Sequence, residues 1–270
     1  MDPDHLLPPD GLSAKGRLGR RTLKRVLYSQ LQFRNAFMIA TGREQPLMKF
    51  TVEAEPPSVY FNFRVKDSHA TAAAFGLPHR FELAPMAPVV GDEPAPLLTL
   101  NVYRVSGIAR GIRAEWSTYI SDRNGIPRYM VVAAQSATTS MDPIDIITKA
   151  GRVEHEHTGS TIRTVVDTGR GLFEGSIEVL GDAAEPRQAT GEWVRANDFI
   201  YWKNGVCDRT FYDAGLTSSP LEVVAPDRVE ISHDTEWTEF VEPDPQVVVF
   251  PDAIDFVIMP WLNIDMAPGS

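Results

Sequence analysis

Alternation of apolar and polar residues along short segments is the feature that most constrains how this chain folds. In residues 58–65, SVYFNFRV, Val59, Phe61 and Phe63 fall on one face of a strand, and Tyr60 falls on the other. About a dozen such segments occur at spacings of roughly 8–12 residues, with few helical patterns between them. The sequence therefore predicts a mostly β protein, either an antiparallel barrel or a sandwich.

The predicted strands cover residues 49–55, 58–65, 97–105, 112–121, 127–137, 152–159, 161–168, 172–180, 192–204, 210–216, 228–237, 246–250 and 253–261. Residues 68–76 instead predict a short helix that Ser68 caps and Gly76 ends. The sequence DRNG, which follows the strand at 112–121, predicts a tight hairpin turn because Asn-Gly tolerates positive φ angles.

The N-terminal segments differ from the rest of the chain. Residues 1–16 are rich in proline and glycine and predict a flexible leader, residues 17–45 predict a basic helical arm, and residues 46–265 form the β domain. Eight basic residues occur here with no Asp or Glu among them: Lys15, Arg17, Arg20, Arg21, Lys24, Arg25, Arg34 and Arg43. The arm could bind a membrane surface or an acidic partner, or it could pack on its own domain or on a second subunit. The net charge of -10 favours packing, and we expect a homo-oligomer.

Charge and cysteine content argue against several partners and compartments. A net charge of -10 argues against nucleic acid, whose phosphates require a basic surface. No run of about 18 apolar residues occurs, so we expect no membrane span. Cys207 is the single cysteine, which excludes an internal disulfide and favours a reducing compartment. The N-terminal residues lack the basic and apolar stretches of a signal peptide, and we expect a cytoplasmic protein.

No phosphate-binding, dinucleotide-binding, zincin or nucleophile-elbow motif occurs in the chain. P-loop, kinase, metalloprotease and α/β-hydrolase functions are therefore not expected, and we expect no cofactor.

His155 and His157, in VEHEHTG, would lie on one face of a strand, where two imidazoles can hold a metal. A cupin-like site also needs a carboxylate a few residues later, and residues 158–166 contain none. His69 and His233 are possible third ligands. Alternating His and Glu residues are also typical of a solvated strand, which is the interpretation we prefer, so we expect no metal.

Glu115, in RAEWSTY, would share a strand face with Arg113 and Ser117. If that face lines a cavity, the carboxylate is suited to proton transfer, and Arg64 could pair with it or bind a substrate carboxylate. The alternative is a salt-bridged glutamate on the surface.

Schiff-base chemistry needs a lysine whose amine stays neutral. The chain has six lysines and no adjacent pair. Lys149 follows an apolar run and Lys203 follows two aromatic residues, so either could be partly buried, although both could also extend to solvent.

Three stretches together resemble the acetoacetate decarboxylase superfamily: VYFNFRVKDSHATAAAFGLPHRFELAP, LLTLNVYRVSG and IRAEWSTYISDRNGIPRYMVV. The resemblance continues into the C-terminal strands, where EW, PDPQVVVF and FVIMPW are similar to the closing strands of that family. It therefore covers most of the chain, residues 57–261.

The resemblance implies a closed antiparallel β-cone around an apolar pocket. It also implies that Arg64 matches the family's active-site arginine, that Glu115 is similar in placement to its catalytic-site glutamate, and that Asn101 replaces a second acid. The family's decarboxylases use a Schiff-base lysine in a Pro-Lys-Lys sequence, whereas this chain has Pro143 with no lysine beside it.

We therefore expect a β-cone enzyme that acts on a small organic acid or keto compound by lyase, hydratase or isomerase chemistry, without a Schiff-base lysine. The candidate catalytic residues are Arg64 and Glu115, and the candidate substrate-binding residues are Asn101, Arg113 and Tyr129. A non-catalytic binding protein of the same fold and a metal-binding barrel that uses His155 and His157 are the alternatives.

Overall fold

A computed structural model describes residues 50–77, 81–107, 111–121, 125, 127–136, 148–197, 199–202, 208–213 and 220–260. The predicted leader (1–16) and basic arm (17–45) lie outside the described residues, as do Lys203 and Cys207.

Strands predominate in the described part of the chain, as the alternation predicts. The strands are β1 (Phe50–Arg64), β2 (Glu82–Leu83), β3 (Pro85–Met86), β4 (Ala95–Gly107), β5 (Gly111–Ser121), β6 (Pro127–Ser136), β7 (Thr148–Ala150), β8 (Val153–Thr158), β9 (Thr161–Asp167), β10 (Leu172–Glu178), β11 (Phe199–Trp202), β12 (Asp208–Asp213), β13 (Glu222–Val224), β14 (Val229–Asp234), β15 (Gln246–Phe250) and β16 (Ile254–Pro260). The helices are α1 (Ser68–Ala74) and α2 (Gly191–Asn197), with single 3₁₀ turns at Gly181–Ala183, Pro226–Arg228 and Thr238–Phe240.

Two sheets contain these strands. The larger has twelve strands in the order β13-β15-β1-β16-β12-β11-β6-β5-β4-β3, with β2 on β5 and β7 on β6. The smaller has four strands in the order β14-β10-β9-β8. Pairing is antiparallel except where β6 meets β7 and β11.

The large sheet is curled. β1 pairs with β15 and β16 and also with β4, which bends the sheet back on itself. The pairings run from β1 through β16, β12, β11, β6, β5 and β4 back to β1, with β13, β15 and β3 as branches, and the prediction of a mostly antiparallel β fold was right. The register of β1 and β4 shifts between Glu55, which lies opposite Arg104, and Val59, which lies opposite Val102.

Both faces of the curled sheet are buried, and each has its own core. The inner face carries Tyr60, Tyr119 and Tyr129, and Trp193 of α2 packs against it. The outer face packs on the four-stranded sheet, where Phe61 of β1 meets Phe173 of β10 with ring centroids 4.9 Å apart.

The helix at α1 was predicted from its sequence, with one difference at the cap. Asp67, not Ser68, is the N-cap, and its carboxylate accepts from the backbone N–H groups of His69 and Ala70. Gly76 follows the helix with a positive φ of 64°, a conformation that glycine adopts without a Cβ clash.

The strand predicted over residues 192–204 was wrong in its first half. Residues Gly191–Asn197 form α2, and the strand β11 begins only at Phe199. The Thr190 hydroxyl accepts from the backbone N–H of Trp193 at 3.2 Å and caps the helix.

Neither helix in the described part of the chain is long and apolar enough to cross a membrane.

Candidate functional site

Arg113, Glu115 and Tyr129 lie together on the inner face of the curled sheet. Arg113 and Glu115 are alternate residues of β5, so their side chains leave the same face. Tyr129 of β6 lies opposite Tyr119 of β5 in the antiparallel register, which puts it on that face too. The sequence interpretation of Glu115 as an inward carboxylate is therefore correct, and the surface alternative is wrong.

Glu115 is buried, and both of its carboxylate oxygens are hydrogen-bonded. Arg113 donates to Oε2 through Nε at 2.9 Å, and its Nη2 lies 2.8 Å from the same oxygen. The Tyr129 hydroxyl donates to Oε1 at 2.6 Å. Only 4% of Glu115 is exposed, so the Arg113 guanidinium supplies the opposite charge that a buried carboxylate requires.

Tyrosines surround this ion pair. Burial raises the pKa of Tyr129 well above its usual value, and the Glu115 carboxylate raises it further. Burial, together with the neighbouring Tyr103 phenol, also raises the pKa of Tyr60. Both phenols therefore remain protonated at neutral pH, and Tyr129 acts as a hydrogen-bond donor to Glu115.

Asn101 of β4 lies opposite Glu115 of β5 on one side and opposite Tyr60 of β1 on the other. It is 4% exposed, and its Oδ1 has no hydrogen-bond partner among the described residues. The same is true of Ser58 Oγ and Asn62 Nδ2, which belong to the Tyr60 face of β1. Each unpartnered buried polar atom costs about 1–3 kcal/mol, and a bound ligand or water would relieve that cost.

Ser58, Tyr60 and Trp193 were not identified from the sequence as part of this face. Tyr60 and Ser58 alternate with the apolar residues of β1, and that alternation was the signal that could have found them. Trp193 donates through Nε1 to the Tyr119 hydroxyl, and the misassignment of α2 as a strand hid this contact.

Arg64 is not the partner of Glu115, because Arg113 forms that ion pair. Arg64 is exposed at the end of β1, on the same strand face as Tyr60 and Asn62. There it lines a cleft of about 320 Å³ together with Asn62.

The two histidines of β8 do not form a metal pair. His155 is 5% exposed, its Nε2 lies 2.9 Å from the carbonyl oxygen of Pro57, and its Nδ1 lies 3.0 Å from Thr164 Oγ1. Because a carbonyl only accepts, Nε2 carries the proton and Nδ1 accepts from the threonine. The preferred interpretation as a solvated strand holds for His157, which is exposed, and was wrong for His155.

The described part of the chain contains no group of three or more His, Cys, Asp or Glu side chains arranged to hold a metal ion. The backbone of Lys149 lies on β7 beside Gln135, but its side chain and all of Lys203 lie outside the described residues.

The fold of the chain is similar to that of known structures. The fold matches a crystal structure of acetoacetate decarboxylase from Legionella pneumophila subsp. pneumophila strain Philadelphia 1, with a TM-score of 0.51, 9% identity, and coverage of 78% of this chain and 85% of that one. A second solved acetoacetate decarboxylase matches with a TM-score of 0.50, 11% identity, and coverage of 78% and 87%. The chain has an acetoacetate decarboxylase-like fold.

An acetoacetate decarboxylase-like enzyme from Sphingomonas wittichii RW1 also matches, with a TM-score of 0.48, 12% identity, and coverage of 78% of this chain and 91% of that one. No family model matches the sequence, and no curated protein matches it significantly. The low identities fit a divergent member of the acetoacetate decarboxylase-like fold.

Proposed function

We propose that the inner face of the curled sheet binds a small organic acid or keto compound, and that Glu115 moves a proton on it. The observation that supports this is the buried Arg113–Glu115–Tyr129 cluster, which lies beside the unpartnered Oδ1 of Asn101. The fold of the chain, which acetoacetate decarboxylase shares, adds support.

The proposed chemistry is proton transfer next to a carbonyl. The Glu115 carboxylate takes a proton from the carbon beside the carbonyl, and the electron pair of that C–H bond moves onto the carbonyl oxygen. Where a carbon–carbon double bond is conjugated with the enolate, return of the proton to its far end gives isomerisation. Where the next carbon carries a leaving group, the enolate electron pair forms a double bond to that carbon, the group departs with its own electron pair, and a departing hydroxide takes the proton from Glu115, which gives a lyase or dehydratase reaction. Arg113 balances the carboxylate charge, and Tyr129, as a donor, orients it.

Arg64 has a different role in this proposal. It lies at the exposed end of the Tyr60 face, where a guanidinium can bind a carboxylate through two parallel hydrogen bonds. We assign it to orienting the substrate carboxylate, while Asn101, Arg113 and Tyr129 shape the inner site.

The decisive experiment is replacement of Glu115 by Gln, which keeps the side-chain size but cannot take up a proton. We expect exchange of the protons beside the carbonyl of 2-oxobutanoate or 4-oxopentanoate in D₂O to slow by about 10²- to 10⁴-fold, as measured by NMR. Glu154→Gln is the matched control because Glu154 is a strand glutamate paired with an arginine at 2.7 Å but exposed. Exchange in Glu115→Gln as fast as in the unmodified protein contradicts the proposal.

A non-catalytic binding protein of the same fold is the second candidate. It is favoured by the fact that both oxygens of Glu115 already accept hydrogen bonds from the protein. That candidate predicts that the same keto acids bind, in NMR titrations, with no exchange above the uncatalysed rate.

A further inference from the structure

The cleft that contains Arg64 is lined by charged and polar groups other than those that surround Glu115. It lies between the end of β1, the segment between β3 and β4, and the segment before β15, and it has a volume of about 320 Å³. Its lining includes Met86 and Leu97, which also belong to the inner core with Tyr60 and Tyr129. The cleft therefore adjoins the inner face that carries Glu115.

Asn62 is the buried polar group of this cleft. It is 2% exposed, its Oδ1 accepts from Thr99 Oγ1 at 2.9 Å, and its Nδ2 has no partner. Arg64 follows two residues later on the same face, about 7 Å along the strand. Arg64 is exposed and forms no ion pair with any described residue, so the cleft offers a ligand one buried donor without a partner and one guanidinium without a counter-ion.

Three carboxylates line the same cleft: Asp92, Glu93 and Asp244. Asp92 accepts a hydrogen bond from Gln246 Nε2 at 2.6 Å, and none of the three forms an ion pair with a described residue. Three negative charges and the one positive charge of Arg64 leave a formal charge of -2 on the lining. A simple carboxylate would therefore meet a net repulsive field, whereas a ligand that also carries a cation would not.

We propose that this cleft binds a small zwitterion, a molecule with one carboxylate and one ammonium group. The carboxylate binds the Asn62 amide and the Arg64 guanidinium, and the ammonium binds among Asp92, Glu93 and Asp244. At the roughly 30 Å³ that a water occupies in the liquid, the cleft holds about ten non-hydrogen atoms, the size of an amino acid. This rests on the proposed function in one respect: the cleft is the entrance to the inner site, so the substrate is an amino-substituted organic or keto acid.

The test compares three probes of one length: 4-aminobutanoate, butanoate and butylamine. We expect 4-aminobutanoate to bind at least tenfold more tightly than either singly charged probe, as measured by NMR titration of the full chain. Arg64→Gln should reduce 4-aminobutanoate binding to that of butylamine. The double variant Glu93→Gln/Asp244→Asn should reduce it to that of butanoate. Arg152→Gln, which changes an exposed arginine of another region, should change nothing.

Equal binding of butanoate and 4-aminobutanoate, or no effect of the double variant, overturns the zwitterion assignment. The Glu115→Gln variant separates this result from the proposed function. If it keeps 4-aminobutanoate binding and also keeps proton exchange, the proposed catalysis fails and the cleft assignment stands. If it loses exchange while butanoate and 4-aminobutanoate bind alike, the catalysis stands and the cleft assignment fails.

Discussion

Two arginine–glutamate pairs of this chain have the same local geometry in different surroundings. Arg113 and Glu115 are two residues apart on β5, and Arg152 and Glu154 are two residues apart at the start of β8. Their Nε–oxygen distances are 2.9 and 2.7 Å. The side chains of the first pair are 2% and 6% exposed, whereas those of the second are 55% and 39% exposed. Burial is therefore the variable that separates them.

This difference predicts unequal costs of removing the arginine. Arg113→Met leaves Glu115 as a buried charge without a counter-ion, and we expect the free energy of unfolding to fall by about 3–5 kcal/mol. Arg152→Met breaks an exposed pair that solvent screens, and we expect a much smaller loss than in Arg113→Met. Urea unfolding of both variants measures the comparison. A similar small loss in both would mean that the Arg113–Glu115 pair contributes no more than a surface pair.

Part of the candidate site could be predicted from the alternation of β5 alone. Arg113 and Glu115 share a face because a strand repeats every two residues, and the structure keeps them together. The identity of the buried partner of Glu115 could not be predicted in the same way. Arg64 and Arg113 are both arginines on strands, and only the pairing of β1, β4 and β5 decides which one reaches the carboxylate.

At the scale of elements, β10 and β14 approach each other closely at one glycine. A Cβ at Gly171 would overlap the carbonyl oxygen of Asp234, which is backbone and cannot move aside cheaply. Asp234 ends β14 and pairs with Leu172. Gly171 therefore allows the edge strand of the small sheet to pair with its neighbour.

Gly171→Ala is expected to destabilise the protein by about 1–3 kcal/mol, the usual cost of overpacking a close contact. Backbone amide hydrogens should exchange faster in this variant than in the unmodified protein, and the increase should be confined to β10 and β14. Gly191→Ala is the control, because a Cβ at this first residue of α2 meets no atom within 4 Å. We expect that variant to be neutral or more stable by up to about 1 kcal/mol. Equal stability of the two variants would show that β14 adjusts without cost.

The elements that sequence reasoning missed are the short ones. β7 and β13 have three residues each, too few for alternation to be visible. α2 has seven residues, about two turns, and its buried Trp193, Val194 and Ala196 do not separate clearly from a strand pattern. Longer elements such as β5 and β6 repeat their pattern often enough to be recognised.

At the scale of the molecule, the sequence predicted an antiparallel β protein but not its two sheets. Both faces of β1 are buried, Tyr60 on one and Phe61 on the other, so alternation does not tell which face lies inside the curl. Pairing such as β1 with β15 joins residues far apart in the chain, and no local pattern specifies it. For the same reason, the alternation alone could not predict how the large sheet curls.

One buried and one partly buried histidine lie where the two sheets meet. His155 of β8 donates to the carbonyl of Pro57 on β1, and burial lowers its pKa. His233 of β14 stacks on Trp116 of β5 with centroids 5.4 Å apart, and burial lowers its pKa to about 4. Nearby charges modify these shifts without reversing them: Arg104 lowers the pKa of His155 further, and Asp234 partly raises that of His233.

These two histidines predict a loss of stability in mild acid. Below the usual histidine pKa of about 6.5 the unfolded chain takes up protons that the folded protein does not. The free energy of unfolding therefore decreases as the pH decreases. For His233 the free energy of unfolding falls between pH 6.5 and about 4. A histidine that stays fully neutral in the folded protein contributes a slope of up to about 1.4 kcal/mol per pH unit, and the partly exposed His233 contributes less. Urea unfolding from pH 7.5 to 4.5 measures the slope, and a shallower slope is expected in His155→Gln and in His233→Gln. His157→Gln is the control because His157 is exposed on the same strand as His155, and this variant should keep the original slope. An unchanged slope in all three variants would mean that other groups of the chain cause the acid sensitivity.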